Sequence, residues 1–182
     1  MKLFENNKGV IGAKNVALIG IMAATIECGK LVLSFLPNVE VVTLLCAIYG
    51  YVFGWLGVVA TLVFVCVEPL IWGLGSWIVT YIIYWPLVAF AFMLLSKRGI
   101  KNRWIITAVA VGLTVAFGIL SSVIDTAFYL GINQAYFRNF ILYYVRGAVF
   151  YIVQTVCNGV IFPTLFTFLV EKLTLVKSTT NL

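Results

Sequence analysis

The chain has 182 residues, of which 63% are hydrophobic and only 10% are charged, and its mean hydropathy is +1.11. A soluble domain typically has about half of its residues apolar and about a quarter charged. The composition therefore excludes an ordinary soluble enzyme, a disordered protein and a nucleic-acid binder. Because the sequence contains no histidine, histidine-based catalysis and histidine-ligated metal sites are excluded as well.

Hydropathy and helix-breaking residues predict an all-α integral membrane bundle of six transmembrane helices, which forms a single domain over residues 1–182. The predicted spans, in chain order, are Asn15–Leu36, Val39–Phe53, Gly57–Ile71, Ser76–Ser96, Arg103–Leu130 and Asn139–Leu175. The second and third spans are short. The sixth is longer than a bilayer crossing needs, so we expect it to tilt or to project beyond the lipid.

Basic residues predict the orientation of this bundle. The net charge is +6, and nine of the twelve basic residues lie in three clusters, one before the first span, one between the fourth and fifth spans, and one at the C-terminus. Their members are Lys2, Lys8, Lys14, Lys97, Arg98, Lys101, Arg103, Lys172 and Lys177. With six spans all three clusters fall on one side, which the positive-inside rule makes cytoplasmic. Both termini are then expected inside, and the outer loops are Pro37-Asn38, Trp72–Gly75 and Gly131–Arg138.

Polar and aromatic residues gather towards the predicted outer ends of the spans. Trp77, Tyr81 and Tyr84 follow i, i+4, i+7 spacing, which places them on one helix face. One face of the sixth span carries Asn139, Tyr143, Arg146, Phe150, Gln154 and Cys157, and it is too polar for lipid. An ionisable group at mid-bilayer costs roughly 2.5–3.5 kcal/mol, so such groups usually face a partner or a wet cavity.

This distribution has two interpretations. The first is an outward-facing polar and aromatic cavity that binds an organic solute, with rings that stack on the solute and charged groups that orient it. Its candidate residues are Glu68, Trp72, Trp77, Tyr81, Tyr84, Asp125, Tyr143 and Arg146. The second is an interfacial aromatic belt combined with salt bridges between helices. Glu40 and Arg138 are expected near the interface, where solvent alone can satisfy them.

Small residues form a stripe on the first span. Ala13, Ala17, Gly20 and Ala24 lie within about 60° of one another on a helical wheel. Such a stripe lets another helix approach closely, which matters in lipid because dispersion contacts carry much of helix association. The partner helix is either another part of this chain or a second membrane subunit.

Recognisable catalytic and nucleotide-binding motifs are missing from the sequence. Gly9-Val10-Ile11-Gly12-Ala13-Lys14 lacks the spacing of a phosphate-binding loop, so the chain is not expected to hydrolyse ATP itself. Nothing indicates a metalloenzyme or a nucleophile elbow. We therefore expect a non-enzymatic protein with no metal and no permanently bound cofactor.

The whole chain resembles a known family. Six spans in a short chain, small residues on the first span and aromatic outer loops are similar to the substrate-binding S component of energy-coupling factor (ECF) vitamin transporters. Three stretches look most like the cobalamin-specific branch: Leu36-Pro37-Asn38-Val39-Glu40-Val41-Val42-Thr43, Glu68-Pro69-Leu70-Ile71-Trp72-Gly73 and Tyr84-Trp85-Pro86-Leu87.

The resemblance implies a mechanism and partners. An S component of the bacterial cytoplasmic membrane captures its vitamin outside, docks on a transmembrane coupling subunit carried by two ATPases that use ATP, and topples so that its site faces inward. The docking motif A-x-x-x-A of the family maps onto Ala13–Ala17 or, with glycine in the first position, onto Gly20–Ala24.

The sequence is also compatible with two alternatives to cobalamin transport. Another vitamin or a deazapurine could be held by Glu68 or Asp125 together with Trp77. A stand-alone ion-coupled carrier, with Glu27, Glu68 and Asp125 as protonation sites, would need no ATPase partner.

Overall fold

The computed structural model describes residues 12–36 and 39–179, and these form an all-helical bundle with no strand among them. The helices are α1 (Ala13–Leu33), α2 (Val42–Phe53), α3 (Trp55–Trp72), α4 (Trp77–Lys97), α5 (Arg103–Leu130) and α6 (Tyr136–Ile161), which continues through a π-helical turn (Phe162–Phe166) into α7 (Thr167–Thr179). Five helical stretches are long and apolar enough to cross a membrane, with α6, the π turn and α7 counted as one. The predicted all-α membrane bundle is confirmed.

The second predicted span is shorter than expected. Helix α2 begins at Val42 rather than Val39 and has 12 residues, which at 1.5 Å per residue is about 18 Å, against a hydrocarbon core of about 30 Å. At its start the Glu40 carboxylate accepts a hydrogen bond from the backbone N–H of Thr43 (2.8 Å), which satisfies one of the free donors of the first turn. The predicted outer turn Pro37-Asn38 lies outside the described residues, as do Lys2 and Lys8.

The sixth predicted span is one continuous helical stretch of 44 residues, Tyr136–Thr179. Its regularity changes only at Phe162–Phe166, where the helix widens to π geometry. Pro163 lies in this turn, and because proline has no N–H it removes one bond of the helical ladder. The turn presents Phe162 and Phe166 to the core, where both are almost completely buried.

Close backbone contacts join the helices into two tight pairs. A Cβ on Gly50 of α2 would lie 2.0 Å from the carbonyl oxygen of Ala89 on α4, so these two helices touch without an intervening side chain. In the second pair the ring of Tyr151 on α6 covers Gly118 of α5, where a Cβ would lie 2.8 Å from ring atoms. The Tyr151 hydroxyl also lies 3.2 Å from Oγ of Ser122 on α5.

The two ends of the bundle differ in chemistry. At one end, which we call the basic end, Lys177 donates a hydrogen bond to the carbonyl of Val52 (2.7 Å) close to the exposed basic loop Lys97–Arg103. At the opposite end, which we call the aromatic end, Ser76 donates to the Asp125 carboxylate (2.6 Å) and so joins the α3–α4 loop to α5. The described basic residues of all three predicted clusters thus occupy one end, as the orientation argument requires.

Candidate functional site

A cavity of about 290 Å³ opens in the half of the bundle nearer the aromatic end. It lies between the end of α1, the segment before α2, the facing sides of α4 and α5, and α6. Its lining consists of Lys30, Leu33, Ser34, Leu36, Val39, Glu40, Val42, Trp72, Tyr81, Trp85, Phe117 and Gln154. The cavity therefore combines aromatic rings with two charged groups and an amide, a mixture typical of sites for organic solutes.

The aromatic wall of the cavity is built mainly on α4. The rings of Trp77 and Tyr81 lie 5.1 Å apart, and Tyr81 contacts Trp85 at 5.4 Å. Phe117 of α5 stacks on Trp85 with ring centroids 6.0 Å apart and an interplanar angle of 30°. Tyr84 is buried behind this wall and packs on Phe117 at 4.8 Å. The Trp77–Tyr81 and Tyr81–Trp85 pairs meet edge to face, at 69° and 80°, so the aromatic wall offers a planar solute individual ring faces and edges rather than one flat surface.

Lys30 places a positive charge on the cavity wall. Its ammonium forms an ion pair with the fully buried carboxylate of Glu68 on α3. The same nitrogen lies 5.1 Å from the centre of the Trp72 ring, 6.0 Å from that of Trp77 and 5.2 Å from that of Tyr81. Three rings within about 6 Å attract the ammonium by cation–π interaction and so hold Lys30 at the aromatic wall of the cavity.

Glu40 is the centre of a polar network at the bottom of the cavity. Its carboxylate accepts hydrogen bonds from the Thr43 hydroxyl (2.6 Å) and from the Asn158 amide of α6 (2.9 Å). The Asn158 amide also donates to the hydroxyl of Thr114 near the middle of α5 (3.0 Å). The expectation that Glu40 is merely solvated near the interface is wrong, because the chain before α2 enters the bundle and carries Glu40 to the depth of Thr114.

Several buried polar atoms near the cavity have no hydrogen-bond partner among the described residues. Indole Nε1 of Trp85 and amide Oε1 of Gln154 belong to side chains that line the cavity. The Tyr84 hydroxyl and Oδ1 of Asn158 lie behind its wall. Buried polar groups are nearly always hydrogen-bonded, since an unmet donor or acceptor costs about 1–3 kcal/mol. Of these atoms, the Trp85 donor and the Gln154 acceptor belong to side chains that a polar ligand in the cavity would contact.

The structure brings together five of the eight predicted solute contacts. Trp72 and Tyr81 line the cavity, while Glu68, Trp77 and Tyr84 lie directly behind residues that do. Asp125 lies nearer the aromatic end, where its carboxylate accepts hydrogen bonds from Ser76 (2.6 Å) and Ser121 (3.4 Å). Tyr143 is half-buried and Arg146 is exposed on α6, and neither lines the cavity.

The small-residue stripe of α1 faces away from the bundle. Ala13, Ala17, Gly20 and Ala24 are all exposed, and a Cβ on Gly20 would meet nothing within 4 Å. Internal packing against the described part of this chain therefore does not explain the stripe. It forms an open strip in the half of α1 nearer the basic end.

A second cavity, of about 690 Å³, lies at the basic end between α2, the α4–α5 loop and α7. Its polar groups are Tyr51, Ser96, Lys101, Thr167, Glu171, Thr174 and Lys177. Within the described ranges, no buried unpaired polar atom belongs to its lining. Unmet hydrogen-bonding capacity thus distinguishes the smaller cavity as the better candidate for specific recognition.

Comparison of the chain with protein-family models, with curated proteins and with solved structures gives no match. The cavity-lining residues that sequence reasoning missed are Lys30, Glu40, Trp85 and Phe117, whereas Gln154 belongs to the polar face predicted for the sixth span. For Lys30 and Glu40 the sequence contains one signal, since each is a charged residue next to a long apolar run. Their convergence depends on the chain path before α2, which periodicity does not reveal.

Proposed function

We propose that this protein is the substrate-capturing membrane subunit of an ATP-driven vitamin importer of the energy-coupling factor type. The observation that carries the proposal is the cavity near the aromatic end, where stacked rings, a charged lysine and unpaired Trp85 and Gln154 atoms converge. By the positive-inside rule the basic end and both termini lie in the cytoplasm, so the cavity lies in the outer half of a bacterial cytoplasmic membrane.

The exposed strip on α1 supports a docking role in the same proposal. Ala13, Ala17, Gly20 and Ala24 leave the α1 backbone accessible to a helix of a transmembrane coupling subunit. Because the strip is in the cytoplasmic half of α1, a coupling subunit bound there leaves the outer cavity uncovered. ATP would be hydrolysed by two ATPase subunits bound to that coupling subunit.

Different observations favour two candidate solutes. The sequence resemblance favours cobalamin, which would need the cavity to widen, since a corrinoid is much larger than 290 Å³. The cavity as it stands accommodates a solute of one or two rings, such as a smaller vitamin or a deazapurine. Ring stacking on Trp85 and hydrogen bonds to Gln154 and Glu40 suit such a planar heterocycle.

A ligand screen tests the solute. The purified chain in lipid nanodiscs is heated with cobalamin, thiamin, riboflavin, biotin, folate or deazapurines, and the denaturation midpoint is recorded. A ligand at 100 times its dissociation constant stabilises the folded state by about 2.7 kcal/mol. Stabilisation by cobalamin alone supports the corrinoid, and stabilisation by a small heterocycle alone supports the second solute. No stabilisation by any vitamin contradicts the proposal.

Transport assays separate the importer from a stand-alone carrier. The S-component proposal requires solute binding by the chain alone, with concentrative uptake only after addition of the coupling subunit, the ATPases and ATP. A stand-alone carrier would instead accumulate solute in vesicles that contain only this chain and an ion gradient. Uptake under that second condition would overturn the proposed function.

A further inference from the structure

A cluster of two buried acidic residues and one half-buried lysine lies where α1 packs on α3. It consists of Glu27 and Lys30 of α1, which are one helical turn apart on the same face, and Glu68 of α3. Glu68 is completely buried and Glu27 is 8% exposed. Lys30 forms its ion pair with one oxygen of Glu68, and Glu27, one turn earlier on the same face of α1, is buried at the same contact between α1 and α3.

If both carboxyl groups are ionised, the cluster contains more buried acceptor oxygens than hydrogen-bond donors. Both oxygens of Glu27 and the second oxygen of Glu68 have no donor among the described residues. A buried carboxylate without donors is strongly disfavoured in a low-dielectric interior, and two adjacent carboxylates repel each other. The Lys30 ammonium pairs with Glu68, so the two oxygens of Glu27 are left without a donor among the described residues.

Other groups around the cluster do not supply a second positive charge. Tyr81, whose ring contacts Lys30 from α4, carries no positive charge, and Glu40, ahead of α2, is a further acid whose hydrogen bonds come from Thr43 and Asn158. Of the basic side chains in the described residues, Lys30 is the one that contacts the cluster. A bound proton would supply the positive charge and the hydrogen-bond donor that no other described side chain provides to the two carboxyl groups.

We propose that Glu27 and Glu68 form a proton-binding site, in which the two side chains share one proton at neutral pH. The shared proton supplies the missing donor, since a protonated carboxyl group has one O–H and the other group accepts it. With Lys30 positively charged, the three residues are then neutral overall. This site lies beyond the proposed transport role, because it concerns the resting charge of the bundle rather than the solute.

The proton has a structural consequence for the cavity. Lys30 both lines the cavity and neutralises Glu68. Loss of the proton leaves a net negative charge that holds Lys30 more firmly against the two acids. Protonation therefore determines how freely the ammonium can turn towards the cavity, and it links the α1–α3 contact to pH.

Infrared spectroscopy of the full chain in nanodiscs tests the proton directly. The wild type at neutral pH should show the C=O stretching band of a protonated carboxylic acid. The band should disappear in both Glu27→Gln and Glu68→Gln, because either variant leaves one carboxylate paired with Lys30. It should persist in the control Asp125→Asn, whose carboxylate already receives hydrogen bonds from serine hydroxyls.

Three results would overturn the proposal. One is absence of the band in the wild type, and another is its persistence in Glu68→Gln, which would mean that Glu27 is protonated on its own. The third is thermal stabilisation of the wild type by sodium chloride but not by choline chloride, which would assign the site to a metal cation.

A second measurement does not depend on whether the variants fold. If the native state of the wild type holds the extra proton, its thermal stability must fall as pH rises above neutral, because the native state then binds more protons than the unfolded state. Stability that is unchanged or higher at alkaline pH contradicts the shared proton. None of these measurements involves a solute or a partner. A negative result for the proton-binding site therefore does not affect the proposed transport function. A negative result in the transport assays likewise does not affect the proton-binding site.

Discussion

The amide nitrogen of Asn158 lies 2.9 Å from a carboxylate oxygen of Glu40, a residue 118 positions earlier in the chain. The contact ties the segment before α2 to the last turns of α6. The same nitrogen lies 3.0 Å from the hydroxyl oxygen of Thr114, so a single side chain connects three parts of the bundle below the cavity.

Replacement of Asn158 by alanine should destabilise the protein. The fully buried Asn158 amide is a donor to the half-buried carboxylate of Glu40, and its removal should cost about 1–3 kcal/mol. For a chain of this length the midpoint of thermal denaturation moves by about 2–4 °C per kcal/mol. Thr155→Ala is the matched control on the same helix, since the Thr155 hydroxyl bonds only to the Tyr151 carbonyl of its own helix. Equal midpoints for the two variants would contradict a bracing role of Asn158.

Truncation of cavity-lining groups should weaken solute binding. Gln154→Ala removes an unpaired buried amide, and Trp72→Ala removes a ring beside the Lys30 ammonium. A hydrogen bond or a ring contact contributes about 0.5–1.5 kcal/mol, so each variant should raise the dissociation constant by about 2- to 12-fold in isothermal titration. The exposed Arg146, replaced by alanine, should leave the constant unchanged. Loss of binding in Arg146→Ala alone would place the solute on α6 outside the cavity.

A bulky residue in the α1 strip should block assembly with a coupling subunit. Ala17→Trp places an indole on an exposed, smooth helix face, so folding and solute binding should persist while co-purification of the partner is lost. Val149→Trp on α6 is the control, because Val149 is 68% exposed but lies far from the strip. If Ala17→Trp assembles as well as Val149→Trp, α1 is not the docking helix.

Two glycine substitutions should have opposite effects on folding. In Gly50→Ala the new methyl group would lie 2.0 Å from the Ala89 carbonyl oxygen, a distance that only separation of α2 from α4 could relieve. We expect little or no folded protein, measured by the monodisperse peak in size-exclusion chromatography. Gly20→Ala meets no atom within 4 Å and should stabilise α1 by about 0.5–1 kcal/mol through its helix propensity. Normal yields of Gly50→Ala would show that the two helices are less tightly apposed.

The helices themselves were largely predictable because the apolar runs are long and the breakers are clear. The fifth span, Arg103–Leu130, agrees with the structure at both ends, since Asn102 caps its start with a 2.9 Å hydrogen bond and Gly131 ends it with a positive φ of 71°. The boundary of α2 was less accurate. Hydropathy alone cannot distinguish a residue of a spanning helix from one in a non-helical segment that enters the bundle. Val39 has the same hydropathy in either setting.

The candidate site was only partly predictable. Helical spacing correctly groups Trp77 with Tyr81, whose rings are in contact. The same reasoning gave α6 one inward polar face, yet Gln154 reaches the cavity while Arg146 is exposed nearer the start of the helix. A helical wheel gives the direction of a side chain but not the depth at which neighbouring helices cover it.

The glycine contact between α2 and α4 distinguishes this helix pair from α5 and α6. Since the two backbones already touch at Gly50, α2 and α4 cannot approach each other more closely. A side chain rather than a backbone contact joins α5 to α6, where the Tyr151 ring covers Gly118. We therefore expect α2 and α4 to move as one unit in any change of shape that the bundle undergoes.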